Sequence, residues 1–331
     1  MREGIALVAF TERGTALAET LRSSLGGTVQ RGGDGFSLDA WAAENFPKRE
    51  ALVVVGAAGI AVRAAAPHLR SKAEDPAVVC LDETGRFAIP LLSGHLGGAN
   101  ALAHRIAALT GGTAVITTAT DLTGAFAVDL WAKKQGMSVL QPERIKQVSA
   151  AVLRGEEISV FCPWPIAGEI PAPVRLSPSA ASSAAIVSYR REETEALQLI
   201  PRILTLGIGC RRGTAAETLE RQLDLFCKER GIFPQAICRA ASVDRKRNEE
   251  GLLLFCRSHG WTPAFYGAEE LRAAEGSFTA SRFVEEQTGV DNICERAAVL
   301  QSGGSLIERK YASDGVTFAL AERQPELDWR W

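Results

Sequence analysis

The sequence predicts an α/β protein: an N-terminal parallel-sheet α/β domain over 1–137, a small middle module with a linker over 138–200, and a C-terminal α/β domain over 201–331. Three observations carry this expectation. Short apolar runs alternate with stretches of helical spacing in the first and last parts of the chain, the pattern of a largely parallel sheet covered on both faces. Between them, Cys162–Ala181 holds five prolines among many Ser and Ala, which reads as a long exposed connection. Polar, Gly-rich turns follow at least three of the predicted strands, the place where open α/β sheets bind ligands.

Each element has a local reason. Gly4–Phe10 (GIALVAF) is a buried-strand candidate broken by Thr11–Gly14, and Thr15–Leu25 has helical spacing. Ala51–Val55 is the clearest buried strand, and Ile60–Leu69 is a short helix. Ala77–Leu81 and Phe87–Leu91 are strands joined by the turn Asp82-Glu83-Thr84-Gly85. Leu96–Leu109 is a helix stopped by Gly111-Gly112, Ala114–Thr118 a strand, and Ala125–Gln135 a helix stopped by Gly136. The middle part offers a helix at Pro142–Leu153, short strands at Ile158–Phe161 and Ala185–Tyr189, and a linker at Thr194–Pro201. The last part runs strand (Arg202–Leu206), Gly-rich turn, helix (Thr214–Arg230), strand (Ile237–Ser242), helix (Lys246–His259) and strand (Ala264–Tyr266). Helices near Ala268–Ala274, Ser281–Glu286 and Ile293–Gln301 follow, then strands at Leu306-Ile307 and Val316–Ala321.

Composition narrows the function. The 331 residues are 46% hydrophobic and 23% charged, ordinary for a globular protein. Lys plus Arg is 37 against 39 Asp plus Glu, so no basic excess marks a nucleic-acid partner. No apolar run reaches the ~18 residues of a membrane span. Met1-Arg2-Glu3 has no signal-peptide charge pattern, so a cytoplasmic enzyme is expected. The seven cysteines include no C-x-x-C pair, and only His68, His95, His104 and His259 are present. Neither disulfides nor a protein-held metal site is expected from that inventory.

Five stretches carry polar chemistry. In Leu92–Asn100, Gly97 and Gly98 let backbone N–H groups approach a ligand at a positive helix end, with Ser93, His95 and Asn100 beside it. Histidine ordinarily titrates near neutrality, which suits His95 as a general base. The bland alternative is a Gly-rich turn with a capping Ser and an exposed His. In the second stretch, Thr117, Thr118 and Asp121 offer hydroxyls and a carboxylate after a strand, or else a turn capping the next helix. Asp129, in mid-helix, is read as solvated or structural. The third, Gly207-Ile208-Gly209-Cys210-Arg211-Arg212-Gly213, matches G-x-G-x-x-G only in part, because Arg212 stands where the third glycine belongs. Backbone donors with Arg211 and Arg212 fit a carboxylate clamp better, the alternative being two exposed arginines. Cys210 has no neighbouring His to activate it as a nucleophile. The fourth, Ser242, Asp244 and the cations Arg245, Lys246 and Arg247, forms a local positive patch or a solvated helix start. The fifth, Phe278–Arg296, is polar, with Asp291 expected to cap the helix that follows.

Together these stretches resemble the cobalt-precorrin-5A hydrolase family, the CbiG-type proteins of anaerobic cobalamin biosynthesis. The resemblance rests on LLSGHLGGANALA (91–103), AVITTATDLTGAFAVD (114–129), LTLGIGCRRGT (204–214), AASVD (240–244), FVEEQTGVDNICERAAVL (283–300) and GVTFALA (315–321). It covers almost the whole chain and implies N-terminal, middle and C-terminal domains. The implied reaction is opening by water of a δ-lactone that joins the ring A acetate to C20 of a ring-contracted tetrapyrrole. Acetaldehyde leaves and cobalt-precorrin-5B results. Cobalt then arrives inside the substrate, and no protein cofactor is implied.

Such chemistry needs a base, oxyanion donors and cations for a macrocycle bearing several carboxylates. On these residues His95 is the expected base, with Asp121 its rival. Gly97 and Gly98 are expected as N–H donors, Ser93 and Asn100 as orienting groups, and Arg211, Arg212 and Lys246 as carboxylate contacts. Transient contact with neighbouring pathway enzymes is a further expectation. Two rivals stay open: a non-catalytic carrier of corrin-pathway intermediates, and a nucleotide-dependent enzyme, against which the misfit at 207–213 counts.

Overall fold

The structure is a computed structural model that describes residues 2–71, 74–95, 97–118 and 124–331. The chain forms two compact units, residues 1–130 with 145–156 and 331, and residues 131–144 with 157–330.

The first unit is built on β1 (Ile5–Ala9), β2 (Thr28–Arg31), β3 (Ala51–Val55), β4 (Ala77–Leu81), β5 (Phe87–Leu92) and β6 (Thr113–Ala114), in the order β2-β1-β3-β4-β5-β6. All neighbours are parallel except β4 and β5, which pair as the hairpin its turn residues predict. Successive strand residues face opposite sides of a sheet, and here both sides are covered. Leu7, Ala9, Val53, Val55, Val79 and Leu81 pack with residues of α1 (Glu12–Leu25) and α4 (Ala99–Thr110). The alternate residues Ala6, Val8, Leu52, Val54, Val78 and Cys80 pack with α2 (Leu38–Asn45) and α3 (Ala58–Ala65). This two-sided burial is why the strands read as unbroken apolar runs. Helix α1 begins where Thr11 Oγ1 accepts from the Gly14 N–H at 3.0 Å. The strand expected at Ala114–Thr118 stops at Ala114; the Val115 N–H continues it, bonding Ala88 O at 2.8 Å. Two further helices follow, α5 (Val128–Lys134) and α6 (Ile145–Leu153).

The second unit holds two five-stranded sheets. One uses β7 (Met137–Val139), β8 (Ile158–Phe161), β10 (Val174–Ser177), β11 (Ala185–Val187) and β12 (Leu197–Pro201), in the order β10-β8-β11-β12-β7, with β9 (Ile166–Ala167) outside it. The stretch expected as a linker therefore contains β12, buried at every residue between β11 and β7. Its polar member, Gln198, is accommodated because Nε2 donates to Glu192 O at 2.9 Å.

The other sheet uses β13 (Leu204–Cys210), β14 (Ile237–Val243), β15 (Ala264–Tyr266), β16 (Ser305–Ser313) and β17 (Val316–Glu322), in the order β15-β14-β13-β17-β16. Leu204, Leu206 and Ile208 of β13 face a core shared with α7 (Ala216–Glu229) and α8 (Glu250–Ser258). On the opposite face lie α9 (Ala268–Ala273) and α11 (Cys294–Ser302), and α10 (Arg282–Thr288) precedes α11 in the chain. Glu322 ties the two sheets of this unit, accepting from Trp164 Nε1 at 2.8 Å and from the Tyr189 hydroxyl at 2.6 Å. The C-terminal stretch packs too: β18 (Leu327–Asp328) pairs with β9, and Trp329 stacks on Trp131 at 5.1 Å.

Strand β13 is longer than expected, so Gly207 and Gly209 are strand residues and not part of a turn. A Cβ on Gly207 would stand 1.7 Å from the backbone oxygen of Cys294, so α11 sits on β13 at a separation only glycine permits. Gly207→Ala is expected to destabilise the chain by roughly 1–3 kcal/mol, read as a lower urea midpoint at unchanged slope. An unchanged midpoint would mean that α11 does not depend on this contact.

Candidate active site

In the first unit, β5 ends at Leu92 and the chain turns sharply before α4. Ser93 takes a positive φ of 55°, and its hydroxyl donates to Asp75 O at 3.0 Å. A Cβ on Gly97 would lie 2.3 Å from Ser93 Cβ, so the turn closes only over a glycine. Two backbone bonds complete it, Ala99 N–H to Ser93 O at 3.1 Å and Asn100 N–H to Gly94 O at 3.0 Å. Asn100 is buried, and its Nδ2 donates to Thr118 Oγ1 at 3.1 Å. The first and second predicted stretches therefore meet, while Thr117 is exposed. Asp121 lies outside the described residues.

The turn presents His95 to a residue read from sequence as solvated or structural. His95 Nδ1 lies 3.1 Å from Asp129 Oδ2, and the two side chains are only 15% and 8% exposed. Asp129 sits in the first turn of α5, where a negative charge is favoured. A carboxylate only accepts hydrogen bonds, so it holds the imidazole proton on Nδ1 and leaves Nε2 as the basic nitrogen. That is the arrangement a general base requires. Gly98 does not serve as an oxyanion donor as expected, because its N–H bonds His95 O at 3.0 Å. The Ser93 hydroxyl proton is committed to Asp75 O, which fixes the turn.

In the second unit, the ends of β13 and β14, the start of α8, the α10 region and the β16–β17 hairpin enclose an open cavity of about 1540 Å³. This exceeds the ~300–1,000 Å³ of ordinary small-molecule pockets. Gly209, Cys210, Arg211, Arg212 and Lys246 line it, so the third and fourth stretches also meet. The Arg211 N–H bonds Gly315 O at 3.0 Å, anchoring the arginine pair to the β16–β17 hairpin. Neither Arg211 nor Arg212 makes an ion pair among the described residues, and both are exposed. Lys246 is committed differently: its Nζ donates to Glu249 Oε1 at 3.0 Å, while Glu249 Oε2 accepts the Gly213 N–H at 2.9 Å.

Other expected contacts lie elsewhere. Ser242 is fully buried, its hydroxyl donating to Ile208 O at 2.7 Å, so it joins strands β13 and β14. Asp244 is exposed and does not line the cavity. Gly207 contacts α11, and a Cβ on Gly209 would meet Thr317 Oγ1 at 2.4 Å. Burial pushes the Cys210 thiol pKa up, the opposite of what a nucleophile needs. Asp291 pairs with Arg296 at 2.9 Å, and Asn292 caps α11 in its place, Oδ1 accepting from the Glu295 N–H at 2.9 Å. Sequence reasoning singled out neither Asp129 as the partner of His95 nor Lys310 as a lining residue.

Three adjoining families of cobalamin synthesis proteins match in register along the chain. Their profiles, cobalamin synthesis G N-terminal, cobalamin biosynthesis central region and cobalamin synthesis G C-terminus, cover residues 40–121, 126–201 and 204–321. A protein of Salmonella typhimurium named cobalt-precorrin-5A hydrolase is 33% identical, over 96% of this chain and 97% of its own. One of the same name from Priestia megaterium is 32% identical, over 83% of this chain and 79% of its own. A solved putative cobalamin biosynthesis protein G homologue from Sulfolobus solfataricus aligns over 96% of this chain and 97% of its own, at 23% identity and TM-score 0.41.

The Gly213 N–H, and Lys246 beside it, hold the Glu249 carboxyl below the ordinary glutamate range despite some burial. A depressed carboxyl pKa adds stability that is present above the unfolded value and is lost as pH falls through the folded one. Glu249→Gln is therefore expected to lower stability at neutral pH and to flatten its fall on acidification. Urea unfolding at neutral and acid pH checks this; the same steepness of acid loss in the variant would remove Glu249 as a contributor. By sequence and domain order, the chain belongs to the cobalt-precorrin-5A hydrolase (CbiG) family of cobalamin-biosynthesis enzymes.

Proposed function

We propose that this chain hydrolyses cobalt-precorrin-5A, opening its δ-lactone with water and releasing acetaldehyde to give cobalt-precorrin-5B, with His95 as the general base. The observation that carries the residue assignment is the part-buried His95–Asp129 pair. The names of the full-length relatives supply the substrate.

The steps balance. His95 Nε2 takes a proton from water as its oxygen adds to the lactone carbonyl. The Gly97 N–H, which makes no backbone bond among the described residues, is the proposed donor to the oxyanion. Collapse of the tetrahedral adduct breaks the acyl–oxygen bond, freeing the ring A acetate and leaving the former ester oxygen on C20. That oxygen forms the carbonyl of acetaldehyde as the bond from C20 to the ring breaks, the electron pair passes into the conjugated macrocycle, and the proton held by His95 leaves to bulk water, restoring the base. Asp129 steadies the imidazolium formed in the first step. Asp121 remains the alternative base. In this reading cobalt belongs to the substrate, no protein-bound cofactor is used, and Arg211 and Arg212 receive substrate carboxylates.

His95→Ala is expected to slow acetaldehyde release from cobalt-precorrin-5A by ~10²-fold or more. Asp129→Asn, which loses the acceptor that sets the tautomer, is expected to slow it ~10–100-fold. Near-full activity of His95→Ala in a folded protein would transfer the role to another base. Retention of the intermediate by the wild-type chain without acetaldehyde would favour a carrier.

A further inference from the structure

Strand β16 pairs irregularly with β17: Glu308 faces Leu320 but Tyr311 faces Phe318, so β16 carries one extra residue between them. Such a bulge frees a backbone group and re-aims a side chain. Here the N–H of Lys310 turns away from the ladder and bonds Glu295 Oε1 at 2.7 Å. Glu295 is fully buried at the start of α11. Its carboxylate also accepts the Thr279 hydroxyl at 2.8 Å on Oε1 and the Thr279 N–H at 2.8 Å on Oε2. Asn292 Nδ2 fastens the same segment through Thr279 O at 2.9 Å. A buried carboxylate is costly without such donors, so Glu295 fixes two walls of the cavity at once: the segment leading to Ser281 and the bulged strand. Lys310 lines the cavity, and its ammonium makes no ion pair among the described residues.

We propose that Lys310 is a carboxylate-binding cation of the second unit's cavity, and that Glu295 is the positioning residue that aims it there through the bulge. The ligand class is a carboxylate-bearing tetrapyrrole, and in that respect the inference rests on the proposed function. Glu295 touches no ligand; it acts by holding the Lys310 backbone out of the β ladder. The device explains a feature the hydrolytic machinery does not use, a carboxylate buried with hydrogen-bond donors from two cavity walls.

The test is equilibrium binding of uroporphyrin, a stable coloured polycarboxylate tetrapyrrole, to the 331-residue chain, followed by absorbance at several salt concentrations. Lys310→Ala is expected to weaken binding about tenfold or more and to make it less sensitive to salt. Lys310→Arg, which keeps the charge, is expected to recover most of the affinity. Glu295→Gln is expected to weaken binding comparably in the wild-type background and to have little further effect with Lys310→Ala, since the two act through one contact. An additive loss in the double variant would make Glu295 merely structural and overturn the positioning role. Unchanged affinity and salt dependence in Lys310→Ala would overturn the whole inference; because that comparison does not involve Glu295, it decides even if Glu295→Gln fails to fold. Acetaldehyde release is a separate readout, so failure here is distinguishable from failure of the hydrolase reading.

Discussion

Two segments of backbone can touch only where no Cβ stands between them, and both candidate sites depend on that constraint. In the first unit the turn from β5 into α4 doubles back over Gly97, against Ser93. The compact turn that results carries His95, and α5 brings Asp129 within 3.1 Å of it. In the second unit α11 rests on β13 at Gly207, and that seating brings Glu295, from the first turn of α11, to the bulged strand β16. A methyl group at either glycine would force the backbone apart. The glycines therefore act through packing, one step removed from chemistry.

Burial then decides which charges are available. Asp129 and Glu295 are both buried carboxylates, and each is satisfied, one by an imidazole nitrogen and the other by hydrogen-bond donors from Thr279 and Lys310. Lys246 is held by Glu249, so it contributes less positive field to the cavity than its position suggests. Arg211, Arg212 and Lys310 make no ion pair among the described residues, although the cavity wall also carries Glu217, Glu249, Glu250 and Asp314.

The sequence made much of this legible, and the exceptions have physical causes. Ala51–Val55 and Ala77–Leu81 read correctly end to end, because strands buried on both faces need no polar alternation. Strand β12 was hidden because LQLIP mixes a glutamine and a proline into a buried run, and tertiary pairing overrides that local signal. The thin edge strand β2 has little apolar content to announce it. The glycines of β13 suggested a ligand-binding turn, whereas a glycine within a strand marks close approach by another segment. Among candidate residues, His95 and Arg211 were visible as local chemistry. Asp129 was not: its partner is 34 residues away, and helical periodicity carries no trace of that pairing. The role of Glu295 depends on a bulge in a strand that follows it, which no single stretch of sequence displays.

In the proposed reaction, water attacks the acyl carbon of a lactone. This step is tested most directly by one anaerobic turnover of cobalt-precorrin-5A in water enriched in heavy oxygen, with mass analysis of the macrocycle and trapping of acetaldehyde. Attack at the acyl carbon predicts one heavy oxygen in the freed carboxylate of the product, with acetaldehyde released in equal amount. A product macrocycle carrying no label, or a macrocycle that keeps its two-carbon fragment, would rule out attack at the acyl carbon.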